Sequence, residues 1–132
     1  DVYKRQDLIS LINEKLENKF KVVIAPGPGE IKEAASINAL CILDNGIALG
    51  ISQLAALIKE SSFVVANDTG PAHMTAHLGS NGIALFGAHT TAYKVSIERE
   101  NFKAIQVSDL KKLSAQKVFE KLILSLNLST KF

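Results

Sequence analysis

Five short apolar runs, FKVVIA (residues 20–25), LCIL (40–43), SFVVA (62–66), GIALFG (82–87) and FKAIQV (102–107), punctuate the chain, and polar or helix-periodic segments separate them. Adjacent antiparallel strands need only tight turns, whereas parallel strands need a long crossover, usually a helix. A parallel sheet is covered on both faces, so its strands read as continuous apolar runs rather than alternating ones. The expected fold class is therefore α/β, a Rossmann-like open parallel sheet with helices on both faces.

The intervening segments support this. Residues 7–19, DLISLINEKLENK, place Leu8, Ile9, Leu11, Ile12 and Leu16 on one face, which predicts an amphipathic helix. Residues 1–6 carry no periodic pattern. After PGPG breaks the first strand, residues 30–39 predict a helix with Glu30 and Glu33 in its first turns, where the dipole favours negative charge. DNG at 44–46 predicts a turn, Ser52 is expected to cap a helix over 53–60, and Ser114 to cap a terminal helix reaching about Leu126. Residues 1–19 form a leading segment with its amphipathic helix, and residues 20–132 form the sheet-bearing domain.

A chain of 132 residues with a formal charge of +2 has too little charge to imply nucleic acid as a partner. From Lys103 onward lysines outnumber acids, a bias that a solvated helix face explains more simply than a partner does, with a weak peripheral attraction to anionic lipid as the alternative. Cys41 is solitary within INALCIL, which excludes an intrachain disulfide and points to a reducing, cytoplasmic setting. No apolar run approaches the ~20 residues of a membrane span, and DVYKRQDLIS lacks the apolar core of a signal peptide.

The richest stretch is VVANDTGPAHMTAHLG, residues 64–79. It reads as a strand, a tight turn and a helix N-terminus, with Pro71 at a first-turn position where its missing N–H is no loss. Gly70 lets a ligand approach the backbone, and the first-turn N–H groups beside the positive dipole end favour an anion, best a phosphate. Thr69 adds a hydroxyl donor, and His73 a neutral donor or a cation. For any one residue, simple helix capping by Asp68 or Thr69 is the plainer reading. For the whole string after a buried strand, ligand binding is favoured, because capping needs only one of them. His73 and His77 have the spacing of a helical metal pair, but Met74 stands where a zinc peptidase needs glutamate, so no metal site is expected. Met74 and Leu78 read as core at i, i+4.

A second loop, GPGEIK, follows the first strand and is expected at the same carboxyl-end rim. It has Gly27 and Gly29 but Lys32 where a dinucleotide fingerprint wants glycine, and Asp44 lies where a ribose-binding acid would be. Glu30 can accept hydrogen bonds from a ribose diol, or can merely favour the helix dipole. His89, Thr90 and Thr91 could reach this rim or belong to a polar loop. No recognisable nucleophile and base pair is present, so the catalytic residue is unassigned.

FVVANDTGPAHMTAHLG followed by GIALFG, with VVIAPGPGE upstream and SQLAALIKESS between, resembles the carboxyl-terminal half of the heptosyltransferase-like glycosyltransferases, family 9. The resemblance runs from about Phe20 to the end. It implies an incomplete second domain of a two-domain GT-B fold, holding a nucleotide diphosphate sugar of the ADP-heptose type, with no other cofactor. It further implies that Asp68, Thr69, Gly70 and His73 line the diphosphate and nearby sugar, and that Glu30 holds the ribose. An acceptor hydroxyl would attack the anomeric carbon with inversion while His73 and the helix N-terminus stabilise the leaving phosphate, without a metal.

The resemblance also implies that the glycolipid or glycan acceptor and the catalytic base belong to an amino-terminal half absent here. A first strand, whose loop carries a phosphate-facing lysine, is absent too. Lys21 and Lys32 are not evident substitutes, and the fragment alone is expected to bind nucleotide weakly and transfer nothing. The setting implied is lipopolysaccharide core or related glycan synthesis, in the cytoplasm or at the inner face of the membrane. Two other readings stay open: an NAD-binding oxidoreductase domain resting on GPGEIK and Asp44, and a non-catalytic nucleotide-binding module.

Overall fold

A computed structural model describes residues 2–67, 70–86, 102–107 and 109–130. Helix α1 (Val2–Lys15) leads into strand β1 (Val23–Ile24), helix α2 (Ile31–Ala34), strand β2 (Leu40–Cys41) and helix α3 (Ile51–Glu60). Strand β3 (Val64–Asn67), helix α4 (Gly70–His77), strands β4 (Gly82–Phe86) and β5 (Phe102–Gln106) and helix α5 (Ala115–Thr130) follow. Every named strand pair is parallel, as the spacing of apolar runs requires. The strands form two sheets, β1-β2 and β3-β4-β5.

The three-stranded sheet is built around β4. Its register pairs Ala84 with Ala66 on one side and with Ala104 on the other. Successive side chains of a strand point to opposite faces, and β4 shows the consequence. Ala84 and Phe86 face α4 in a cluster with Ala72, Ala76 and Phe102, whereas Ile83 packs with Ile12 of α1 and with Phe119 and Leu122 of α5. Both faces are thus covered by helices, which is why β4 is apolar at every position.

α4 meets the sheet through Ala72, Thr75 and Ala76, all buried. Small residues let the helix approach Phe86 and Phe102 closely. The buried Thr75 hydroxyl donates to Pro71 O at 2.7 Å, so it carries no unsatisfied polar group into the core. Leu78, read from spacing as core with Met74, is exposed, and Met74 is only half-buried. The phenylalanine rings leave room for alanine, not for longer side chains, along the contact line. α4 closes at Gly79 in the left-handed conformation (φ 71), with Gly79 N–H donating to Ala76 O and Ser80 N–H to Thr75 O.

Several boundaries differ from those that periodicity predicts. α1 starts at Val2 rather than near Asp7, because Lys4, Arg5 and Gln6 each find a partner elsewhere in the fold. Lys4 Nζ donates to Leu110 O at 3.4 Å, and Gln6 Oε1 accepts the N–H of Asn38 at 2.6 Å. α2 is one short turn, since its buried face amounts to Ala34 alone. α3 begins after Gly50, not Ser52: the Gly50 N–H donates to Gln53 Oε1 at 2.8 Å, the glutamine half of a capping box. Ser114 does cap α5, its Oγ accepting the Lys117 N–H at 3.2 Å. Asn45 and Gly46, both at positive φ, form the predicted turn, closed by reciprocal Asp44–Ile47 backbone bonds. Among the described residues, no helix is long and apolar enough to cross a membrane.

Gly82 sits in register between Val64 of β3 and Phe102 of β5, with no room for a side chain. A Cβ built there would lie 2.6 Å from Val64 O and 2.8 Å from a ring carbon of Phe102. The carbonyl belongs to the strand ladder and cannot yield. Gly82→Ala is expected to destabilise by about 1–3 kcal/mol, even though alanine generally costs less chain entropy than glycine. Urea unfolding of the two proteins checks this, and equal midpoints would show that the strands can separate without cost.

Candidate functional site at the strand carboxyl ends

Because β3, β4 and β5 are parallel, their carboxyl ends share one edge of the sheet, and the segment after β3 turns there into α4. Asn67, the last residue of β3, is exposed, and Gly70 opens α4. Asp68 and Thr69, which join them, lie outside the described residues, as do His89, Thr90 and Thr91 after β4.

The first-turn N–H groups of a helix have no partner within it, and its amino end carries roughly half a positive charge. In α4 that end is Gly70-Pro71-Ala72-His73. Gly70 is exposed, its φ is not in the left-handed region, and nothing lies within 4 Å of a Cβ built upon it. The fold itself therefore does not require glycine here, whereas an approaching ligand would use the open space. His73 follows one turn in and is half-buried, and His77 is exposed in the last turn. Among the described residues, no group of three or more His, Cys, Asp and Glu is placed to hold a metal.

Glu30 stands on the other sheet, in the loop between β1 and α2. Its Oε1 accepts the Gly27 N–H at 3.1 Å while its own N–H donates to Gly27 O at 3.0 Å, so the PGPGE loop is closed on itself. Its Oε2 lies 3.8 Å from Arg5 Nη2, both side chains being largely exposed. A carboxylate has about four lone-pair sites, so these contacts orient Glu30 and leave acceptor capacity for a diol. The structure thus groups Gly70 and His73 on one helical turn and places Glu30 in a separate loop.

Arg5 is the residue that periodicity missed. The signal was available: no Gly or Pro interrupts residues 1–25, so nothing stops a helix from continuing amino-terminally through it. Asp44, the other acid considered, accepts from Gln53 Nε2 at 3.0 Å and from Asn45 Nδ2 at 3.4 Å. It ties its own turn to α3, and with Lys32 at the third glycine position the dinucleotide fingerprint gains nothing from it.

The model of glycosyltransferase family 9 (heptosyltransferase) matches residues 10–123. No curated protein sequence matches the chain. Among solved structures, E. coli heptosyltransferase WaaC with ADP superposes with a TM-score of 0.78 at 20% identity, over 95% of this chain and 39% of its own. The same enzyme with ADP-2-deoxy-2-fluoro heptose gives 0.73 at 20% identity, over 96% and 38%. At that identity the likeness establishes a shared fold, and the chain spans about two fifths of the length of these structures.

The open space at Gly70 separates a folding role from a binding role. Gly70→Ala is expected to leave thermal stability unchanged, or to raise it by about 0.4–1 kcal/mol through the unfolded chain, while weakening binding of inorganic pyrophosphate. Thermal melts with and without pyrophosphate measure both. A loss of stability, or pyrophosphate binding unaffected by the methyl group, would contradict this account of the helix end.

Proposed function

This chain belongs to glycosyltransferase family 9 (heptosyltransferase), and from that membership we propose that it is the donor-binding part of an inverting, metal-independent glycosyltransferase. The donor is a nucleotide diphosphate sugar of the ADP-heptose type. One observation carries the reading: the family match spans a helix whose open, glycine-led amino terminus follows a parallel strand at the sheet's carboxyl edge. A diphosphate is the ligand that such an end favours. That the similar enzyme was captured with ADP in one structure and with an ADP-sugar analogue in another supports the same choice.

In the proposed reaction, a carboxylate on the acceptor-binding half removes the proton from an acceptor hydroxyl. The hydroxyl oxygen then bonds to the anomeric carbon from the face opposite the phosphate. The bond from that carbon to the phosphate oxygen breaks, and the nucleoside diphosphate departs carrying the electron pair. Charge therefore develops on the leaving phosphate. The N–H groups at the start of α4 are held by the fold and would stabilise that charge without reorganising, and His73 and the Thr69 hydroxyl are assigned to add to them. This preorganised field takes the part a metal would otherwise play. Asp68 completes the diphosphate and sugar contacts, and Glu30, oriented by Gly27 and Arg5, holds the ribose.

The acceptor is a glycolipid or glycan, and the process is lipopolysaccharide core or related glycan assembly on the cytoplasmic side of a bacterial membrane.

Calorimetric titration with ADP, UDP and NAD tests the reading. ADP is expected to bind, and Asp68→Ala and His73→Ala each to weaken it about tenfold or more, the ~1.5–3 kcal/mol of a hydrogen bond to a charged group. NAD binding indifferent to both substitutions would move the site to the GPGE loop and replace the transferase with an oxidoreductase.

A further inference from the structure

α3 and α4 lie side by side. α3 ends at Glu60, shortly before Val64, and α4 ends at His77, shortly before Gly82. Val64 and Gly82 are register partners, so both helices finish at the amino edge of β3 and β4 and start toward the carboxyl edge. The amino end of α3 is therefore a neighbour of the open amino end of α4. Packed helices lie about 8–10 Å apart, a gap that the sugar of a nucleotide can bridge.

The two helix starts differ. That of α4 is open and led by glycine, whereas that of α3 is held by its own side chain. Gln53 Oε1 accepts the Gly50 N–H at 2.8 Å, and Gln53 Nε2 donates to Asp44 Oδ2 at 3.0 Å. Asp44 in turn exchanges backbone bonds with Ile47 across the DNG turn. One amide thus ties the turn after β2 to the start of α3. What it holds there is apolar: Ile47 is 63% exposed and Ile51 80%. A single exposed isoleucine needs no explanation, but a pair carried by one bridged loop beside an anion-favouring helix end does. Asp44 also places a carboxylate at this end, which disfavours a second phosphate. The part of a nucleotide that fits is its neutral, flat base.

We propose that Gln53 is a positioning residue for the nucleoside end of the donor, fixing the β2–α3 loop so that Ile47 and Ile51 meet a face of the base while the diphosphate lies at α4. The inference rests on the donor-binding reading. A loop already ordered in this way loses little freedom when the base arrives.

Calorimetric titration with ADP and with inorganic pyrophosphate, beside a thermal melt of each protein, tests this. Gln53→Leu is expected to weaken ADP binding about tenfold, or ~1.4 kcal/mol, and to leave pyrophosphate binding unchanged, because only the base meets the loop. Gln53→Glu, which sets two carboxylates together, should do the same. Gln53→Glu combined with Asp44→Asn exchanges donor and acceptor across the bridge and should restore ADP affinity. Ile51→Ser should also weaken ADP alone, and without lowering the melting temperature, since that side chain is already exposed. It keeps the test decisive even where a Gln53 variant folds poorly. Equal losses of ADP and pyrophosphate, unchanged ADP affinity in Gln53→Leu or Ile51→Ser, or no recovery in the exchanged pair would overturn the inference and leave the donor reading standing. An unaltered chain that binds neither ligand would overturn both.

Discussion

The two-sided burial of β4 is the constraint from which the rest of the structure follows. Ile83, Ala84 and Phe86 are almost wholly withdrawn from water, and they face alternately toward α1 and α5 and toward α4. A strand in that position can only be apolar throughout. Its pairing with β3 is parallel because α4, which covers one of its faces, is the segment that returns the chain from β3 to β4, while α1 and α5 cover the other face. Gly82 marks how closely the three strands draw together, and Ala72, Thr75 and Ala76 mark how closely α4 must approach to cover Phe86 and Phe102.

That packing also fixes where the amino end of α4 lies. α4 cannot slide along the sheet without exchanging its alanines for Met74 or Leu78, which the phenylalanine rings would not admit. Its amino end is therefore held at the carboxyl edge of β3, with the first turn directed outward. Local sequence makes that turn attractive to an anion, while the tertiary contact holds it in place. Glu30 is organised differently. Its position comes from the self-closing PGPGE loop, and its second oxygen is approached by Arg5 from a helix some distance back in the chain. An exposed pair of this kind contributes little to stability, so its significance lies in orientation.

Family membership and the position of α4 together give the transferase reading its physical content, since the leaving group of the proposed reaction is an anion of the kind that a helix amino terminus favours.

Much of this was readable in advance. FVVA and GIALF announce parallel strands by being apolar without alternation, FKAIQ by its apolar positions between Lys103 and Gln106, and the Gly-Pro of NDTGPAH announces the start of a helix after a strand. Ser114 and the DNG turn act through bonds spanning three or four residues, and both form as the sequence predicts. What escaped were matters of long-range contact. α1 extends to Val2 because of Leu110 and Asn38, far away in sequence, and α2 shrinks to one turn because little of it is buried. Arg5 meets Glu30 for the same reason. Hydrophobic period and turn chemistry are local quantities, so the sequence alone determined the fold class and that a helix begins after the third strand. Which helix face is buried, where helices end and which charges meet depend on packing between distant segments, and those the tertiary structure decided.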